Sequence, residues 1–493
     1  MKFALIAAFI LSSFSAAAPA TEDRVPLNTK LKEDLNFMHR TISREFSGYL
    51  YSAETRRMEN LGHSAAYREA KTCEDTICYR KIVSKYIAAL KDPHMRVAFS
   101  RIPGMSEPPD YPQFVTGIEA VKYNTAYYVK TADAQASAKG IKPGDEIVSC
   151  GGKTPGTMLK EDIFPYLPVL GIEADYYMNS GRLFRRWDVK EGDKLNCIFS
   201  RGNSRTETAL TWKKEQEKQA GAADRLLALT RRLFGAKKHP TVYSVEKKPY
   251  GCWIKLSSLS GEDGQLTRFY EDAQKFRSCG VIVMDIRGNG GGNSQYSTKW
   301  VKNFFGYLPE SKKNLPDLIA ATDDNYNHFK TLYDQYTRTH PEDAAYTRRF
   351  LECMKKNAGK LAVCGDDDAP AGTAAAAEPP KLDFKGKIYL LTDYADFSSA
   401  EIFVHELRQM PGVKQAGVAT GASTMYGDVR LCQTPSRFFV FNIATKVFRG
   451  LFADRKPGEP FEPQIPLKYD PAAELAGRDS LAEALEKIIA GRN

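Results

Sequence analysis

The pattern of apolar positions changes twice along the 493-residue chain. From about residue 27 to 100 it repeats with a helical period. In YRKIVSKYIAALKD, Ile82, Tyr86, Ile87 and Leu90 fall on one face, which predicts a small helical domain. From Phe114 the runs shorten and alternate between turns: FVTGIEAVKYNTAYYVKTAD, ASAKGIKPGDEIVSCGGK and EGDKLNCIFSRGNSRTETALTW predict a β-rich unit, with residues 160–187 as an insertion. A basic amphipathic stretch from Lys213 to about Lys238 reads as a linker. After it strands and helices alternate. YGCWIKLSSL and GVIVMDIRG read as strands flanking a helical stretch from about Gln265 to Arg277, and KIYLLTD resumes the pattern after an interruption at about 307–383. The end of that interruption, DDDAPAGTAAAAEPP, is of low complexity.

Composition narrows the partners. The net charge of +10 arises from 70 basic against 60 acidic residues scattered along the chain, which gives no nucleic-acid footprint. The opening MKFALIAAFILSSFSAAAPA, with Lys2, an apolar run and small residues at Ala18 and Ala20, predicts a secretory signal peptide over residues 1–20. No later stretch is apolar and long enough to span a membrane, so an exported protein is expected, periplasmic or secreted. Nine cysteines then permit disulfides, with at least one thiol left over; Cys73–Cys78, Cys150–Cys197 and Cys353–Cys364 are the first pairings to expect. Neither a CxxC pair nor HExxH is present, and no metal or cofactor is expected.

VIVMDIRGNGGG, residues 281–292, raises the chemical question. A glycine loop after a buried strand suits a phosphate, but the spacing fails: a G-x-G-x-x-G count from Gly288 reaches Asn293, and no Gly-Lys-Ser/Thr follows. What remains is a row of backbone N–H groups at Gly290, Gly291 and Gly292, suited to a developing oxyanion. A nucleophile is therefore sought elsewhere. In KIYLLTDYADFSSAEIFVHELRQM a strand (Ile388–Leu391) turns into a helix whose face is Ala400, Phe403, Val404 and Leu407, with Ser398 and Ser399 at the helix start. A serine there serves as a plain N-cap or as an exposed nucleophile in the positive field of the helix end.

The combination of RGNGGG, Ser-Ser-Ala-Glu at 398–401, GVATGAS at 417–423 and EPQIPL at 462–467 resembles the C-terminal processing (tail-specific) serine peptidase family, related to the tricorn core protease. GIKPGDEIVSCGG in the β-rich unit resembles a PDZ domain. The resemblance runs from about residue 80 to 490 and implies an α/β multidomain fold: a helical N-terminal domain (21–113), a β-rich PDZ-like domain (114–215), a linker (216–244) and an α/β, ClpP/crotonase-like peptidase core (245–493) interrupted at about 307–383. It implies Ser398 as nucleophile, with an oxyanion hole from Ser399 and Gly290 or Gly291. It also implies a peptide-binding loop through Gly117 and Ile118, receiving a polypeptide's C-terminal carboxylate.

The general base departs from the lysine-type branch of that family. Its lysine would follow a Thr-x-Gly element, but Thr420-Gly421-Ala422 leads to Ser423, which cannot act as that base; Lys414 and Lys446 do not fit the motif. The histidine-type branch carries its base at the end of the helical domain, where this chain has KDPHMRV, so the resemblance implies His94. Imidazole suits the role because its ordinary pKa leaves it neutral near pH 7. His405, two turns along the serine helix, should point away from the hydroxyl. The acid that orients the imidazole is implied near PGEPFEPQIPL, where Glu459 and Glu462 are both candidates. Two functions stay open: an exported serine endopeptidase acting on polypeptides, or an inactive scaffold of the same fold that binds peptides.

Overall fold

The computed structural model describes residues 25–99, 112–215, 241–261, 264–309, 316–339, 341, 344–364, 384–452 and 455–491. The expected leader, most of the expected linker and the low-complexity end of the interruption lie outside them. Among the described residues no helix is long and apolar enough to cross a membrane.

Three long helices open the described chain: α1 (Leu27–Glu45), α2 (Ala53–Glu69) and α3 (Thr76–Ala88). Side-chain caps fix two of their starts, Ser52 accepting from the Thr55 N–H and Asp75 from the Cys78 N–H. The predicted face of α3 is the buried one. These helices do not close a core among themselves. Leu31, Leu35, Ile42, Tyr79 and Ile87 pack together with Phe439, Phe441, Ile443 and Ala444 from far along the chain.

The β-rich unit is an antiparallel sheet ordered β1-β2-β3-β4-β5, from β1 (Ile118–Tyr123), β2 (Ala126–Ala132), β3 (Glu146–Cys150), β4 (Lys194–Arg201) and β5 (Ser204–Thr211). Its predicted insertion forms short helical turns, among them α4 (Glu173–Met178) and a 3₁₀ turn at Ser180–Phe184. Leu183 and Phe184 of that turn sit in the core of the sheet with Ile118 and Ala120.

The α/β unit is built on a six-stranded sheet. β6 (Tyr243–Lys248) pairs antiparallel with β7 (Gly251–Leu256). Then β8 (Val281–Asp285), β9 (Lys387–Thr392), β10 (Val413–Gly417) and the two-residue strand Ile465–Pro466 follow in parallel. The strands of the sheet interior read as continuous apolar runs because helices cover the sheet: α5 (Gln265–Glu271), α6 (Gln295–Phe305) and α7 (Ser399–Arg408) bury Phe269, Trp300, Phe304, Phe403 and Leu407 against Ile254, Ile282 and Leu390. A second sheet centres on β11 (Tyr426–Gln433) and β12 (Val440–Val447). Val97–Ala98, just after α3, adds to β12 with Val97 opposite Phe441. This is the sheet against which the N-terminal helices pack. Within the interruption the helices Asp323–Thr339 and Ala344–Lys356 share a small core through Phe329, Phe350 and Met354.

Disulfides join Cys73–Cys78, Cys150–Cys197 and Cys353–Cys364, and a fourth, Cys252–Cys279, ties β7 to the segment leading into β8. Sequence spacing did not suggest the fourth, since its partners are brought together only by the parallel pairing of β7 and β8. Cys432 is the leftover thiol, buried in the core shared by the helices and β12.

Candidate active site

The serine lies where a parallel strand meets a helix. β9 ends at Thr392, the chain turns through residues 393–397, and Ser398 stands at φ 60, ψ −123 before the first turn of α7. Such a backbone costs a non-glycine residue about 1–3 kcal/mol and persists only where its surroundings enforce it. They do so here. The Phe397 N–H donates to the Asn289 carbonyl (3.0 Å), the Ser398 N–H to Ser423 Oγ (3.0 Å), and the Ser398 carbonyl accepts from the Glu401 N–H (2.9 Å). Ser398 makes no side-chain cap of its own helix, so its hydroxyl is left for other chemistry.

That hydroxyl meets His94. Nε2 of the imidazole is 3.0 Å from Ser398 Oγ, across 304 residues of sequence. The histidine follows α3 in a tight loop that the Val97–Ala98 strand pins to β12, and the Asn442 N–H reaches back to the Arg96 carbonyl at 2.9 Å. His94 is 8% exposed and lies against the Phe397 ring at 4.6 Å. The Arg96 guanidinium covers the same ring at 5.8 Å, and burial lowers its pKa.

The carboxylate beside the imidazole is Asp92, which the sequence reading did not single out. Its Oδ1 is 3.6 Å from His94 Nδ1, accepts the His94 N–H at 2.9 Å and takes a hydrogen bond from Thr424 Oγ1 at 3.0 Å. Both His94 Nδ1 and Asp92 Oδ2 are buried without a hydrogen-bond partner. The signal was present in KDPHMRV: an aspartate two residues before the histidine, across a proline, returns its side chain to that histidine's own amide. Glu459 and Glu462, the acids expected from the resemblance, make no contact with His94. Both are exposed; Glu459 accepts the Lys456 N–H (3.1 Å) and Glu462 offers its backbone carbonyl to Arg408 (2.7 Å). They leave the site because the segment 455–467 runs beside β10, where Ile465 pairs with Ala416, rather than beside the histidine loop.

The glycine loop after β8 packs directly on the serine turn. A Cβ on Gly291 would stand 2.8 Å from the Phe397 carbonyl and 2.9 Å from the Ser399 nitrogen, and one on Gly292 would overlap the Leu259 backbone. Ser399 Oγ ties the two together by donating to the Gly292 carbonyl at 2.6 Å. The loop N–H groups are not equivalent. Gly291 N–H donates to Asn289 Oδ1 (2.9 Å), whereas neither Gly290 N–H nor Ser399 N–H has a hydrogen bond among the described residues. Below the loop, Asp393 accepts the Gly288 N–H (3.0 Å) and Asp396 the Asn289 and Asp393 N–H groups. Burial raises both carboxyl groups, Asp396 well above its ordinary range. Arg287 reaches Asp285 through two hydrogen bonds of 2.8 Å and continues to Asp479, fixing the start of the loop.

The remaining residues lie apart. Gly117 has φ 89 and no room for a side chain beside Asp133, and Ile118 is buried in the core of the β-rich unit. The neighbouring Thr116 N–H already donates to the Phe184 carbonyl at 3.3 Å. His405 turns to the Phe461 ring, away from Ser398. Among the described residues no group of three or more histidine, cysteine or acidic side chains is placed to hold a metal ion.

A buried imidazole against a half-buried serine, beside an aspartate and two free amides, is an arrangement suited to acyl transfer. Residues 252–437, which carry the glycine loop, Ser398 and Ser423, match the family model of peptidase family S41. No curated protein matches the chain significantly in sequence. Among solved structures, mature CPAF complexed with lactacystin is similar with a TM-score of 0.63 at 16% identity, covering 94% of this chain and 98% of that one. A separate structure of mature CPAF gives 0.61 at 14%, covering 94% and 96%. The photosystem II D1 C-terminal processing protease is similar more loosely, with a TM-score of 0.36 at 13% identity over 91% and 94% of the two chains. At these identities the likeness to CPAF speaks for the fold, and the family match speaks for the chemistry. The match over residues 252–437 identifies a segment of peptidase family S41 and supports a serine-type peptidase.

Proposed function

We propose that this peptidase is of the histidine type and cleaves polypeptides by acyl transfer, with Ser398 as nucleophile, His94 as general base and Asp92 as the group that orients the imidazole. The 3.0 Å contact between Ser398 Oγ and His94 Nε2 carries this reading. His94 takes the serine proton as Oγ attacks the peptide carbonyl, then returns it to the leaving amine; water repeats the sequence on the acyl-enzyme. The oxyanion is held by the Ser399 N–H and the Gly290 N–H. Gly291 instead gives the loop its shape, since its own N–H is spent on Asn289. A preorganised donor of this kind contributes about 10²–10³ in rate.

The β-rich unit acts as a PDZ-like gate in this reading, and an exported location agrees with four disulfides. Its edge strand β1 packs against the Ser180–Phe184 turn, and the Thr116 N–H that would meet a peptide carboxylate is engaged by Phe184. Peptide entry at Gly117 and Ile118 therefore requires that turn to move. The scaffold reading has less support, because a non-catalytic protein has no use for a strained serine against a buried histidine.

The test is covalent. A fluorophosphonate probe should label the wild type and not Ser398→Ala, and a casein-type unfolded substrate should be cleaved only by the former. Equal labelling of the two would remove Ser398 from the mechanism.

A further inference from the structure

The segment Thr420–Thr424 leaves the end of β10 for β11, and its polar groups make four contacts in order. Thr420 Oγ1 donates to Glu401 Oε1 on α7 (2.5 Å). The Gly421 N–H donates to the Asp396 carbonyl in the turn before the serine (2.8 Å). Ser423 Oγ accepts the N–H of Ser398 itself (3.0 Å), and Thr424 Oγ1 donates to Asp92 Oδ1 (3.0 Å). One pentapeptide thus holds the serine helix, the serine turn, the serine amide and the carboxylate beside His94. The last two belong to parts of the chain about three hundred residues apart.

The pentapeptide is itself forced into shape. Ala422 is fully buried at φ 57, a left-handed backbone for a residue with a side chain, and Gly421 has no space for one, since a Cβ would stand 2.9 Å from the Tyr394 carbonyl. Ser423 is 2% exposed and its carbonyl is fixed by the Gly458 N–H at 2.9 Å. Two strained positions, Ala422 and Ser398, are therefore joined by the Ser423 hydroxyl. Strain of this sort survives only where neighbours over-determine it.

We propose that Thr420–Thr424 is a strap that sets the nucleophile against its base, with Ser423 and Thr424 as positioning residues. The proposal rests on the peptidase reading above. Ser423 holds the peptide unit entering Ser398 and so the direction of Oγ; Thr424 holds Asp92 and so the plane of the imidazole. Neither touches substrate or carries a proton in the reaction.

Ser423→Ala should lower kcat about 10–100-fold with KM changed less than about twofold, because displacements near 1 Å cost that much in the chemical step. Its pH midpoint for kcat/KM stays in place, since the His94–Asp92 pair is untouched. Thr424→Val should lower kcat and also move that midpoint, and Thr424→Ser should restore both. A crystal structure of Ser423→Ala should show residue 398 relaxed away from φ 60. The strap is overturned if both variants keep kcat within about twofold and an unaltered pH profile, or if residue 398 keeps its backbone in Ser423→Ala. Should the wild type label no better than Ser398→Ala, the peptidase reading falls, and the crystal comparison alone decides the strap.

Discussion

Asp92 and His94 show how much one loop decides. Pro93 between them leaves a turn in which the aspartate accepts the amide of the histidine, so the carboxylate and the imidazole arrive as one unit. The choice between Asp92 and the distant Glu459 or Glu462 is open to direct measurement. Asp92→Asn should reduce kcat about 10²–10⁴-fold, the loss seen when an imidazole loses the carboxylate that fixes its tautomer. Glu459→Gln and Glu462→Gln should leave kcat within about twofold. Steady-state kinetics on an internally quenched peptide checks all three; a large loss in Glu462→Gln with none in Asp92→Asn would return the third role to the C-terminal segment. Ser398 and His94 were legible as candidates because each sits in a local motif, and the structure brings them into contact. Asp92 was not, because its contact with His94 exists only once its side chain folds back on the histidine amide.

At the scale of elements, the serine helix α7 does two jobs. Its inner face, Ala400, Phe403, Val404 and Leu407, is fully buried as its periodicity predicts, and this rigid seat supports the strained Ser398 at its start. The same helix carries Glu406, whose Oε2 is sealed from solvent without a partner while Oε1 accepts from Thr298 Oγ1 at 2.6 Å. Burial pushes this carboxyl from its ordinary 4.5 up to about 7, against the smaller opposing effect of the Thr298 hydroxyl. The folded state therefore holds a proton that the unfolded chain releases, and stability falls as pH rises from about 4.5 to 7. Glu406→Gln should be close to neutral at pH 4.5 and stabilising above pH 7 by roughly 1–3 kcal/mol. Thermal unfolding followed across that range checks it, and a gap that shrinks with rising pH would contradict the assignment. The helix, the parallel strands and the glycine loop were readable because each is written in a short window. The pairing of Val97–Ala98 with β12 was not, since strand partners more than three hundred residues apart leave no periodic trace, and Cys252–Cys279 was not, since its 27-residue spacing becomes a contact only through the parallel pairing of β7 with β8.

The whole molecule explains why the imidazole of residue 94 meets the hydroxyl of residue 398. Read from the sequence, the helical unit (21–113) and the α/β unit (245–493) look separable, with the β-rich unit and a linker between them. The structure joins them through one core, in which Phe439, just before β12, and Phe441 and Ile443 of β12 are fully buried together with side chains of α1 and α3. Leaving those three side chains exposed would forfeit about 5–9 kcal/mol at 1.5–3 kcal/mol each, comparable with the 5–15 kcal/mol that holds a typical domain folded. Chain 241–493 expressed alone should consequently fail to unfold cooperatively, bind a dye for exposed apolar surface, and resist fluorophosphonate labelling at Ser398. Adding residues 25–99 as a separate polypeptide should recover part of the labelling, because the same face is then covered and His94 is returned to the serine. A cooperatively folded fragment 241–493 that labels as the full chain does would mean that the core and the active serine need neither the helices nor the histidine they carry.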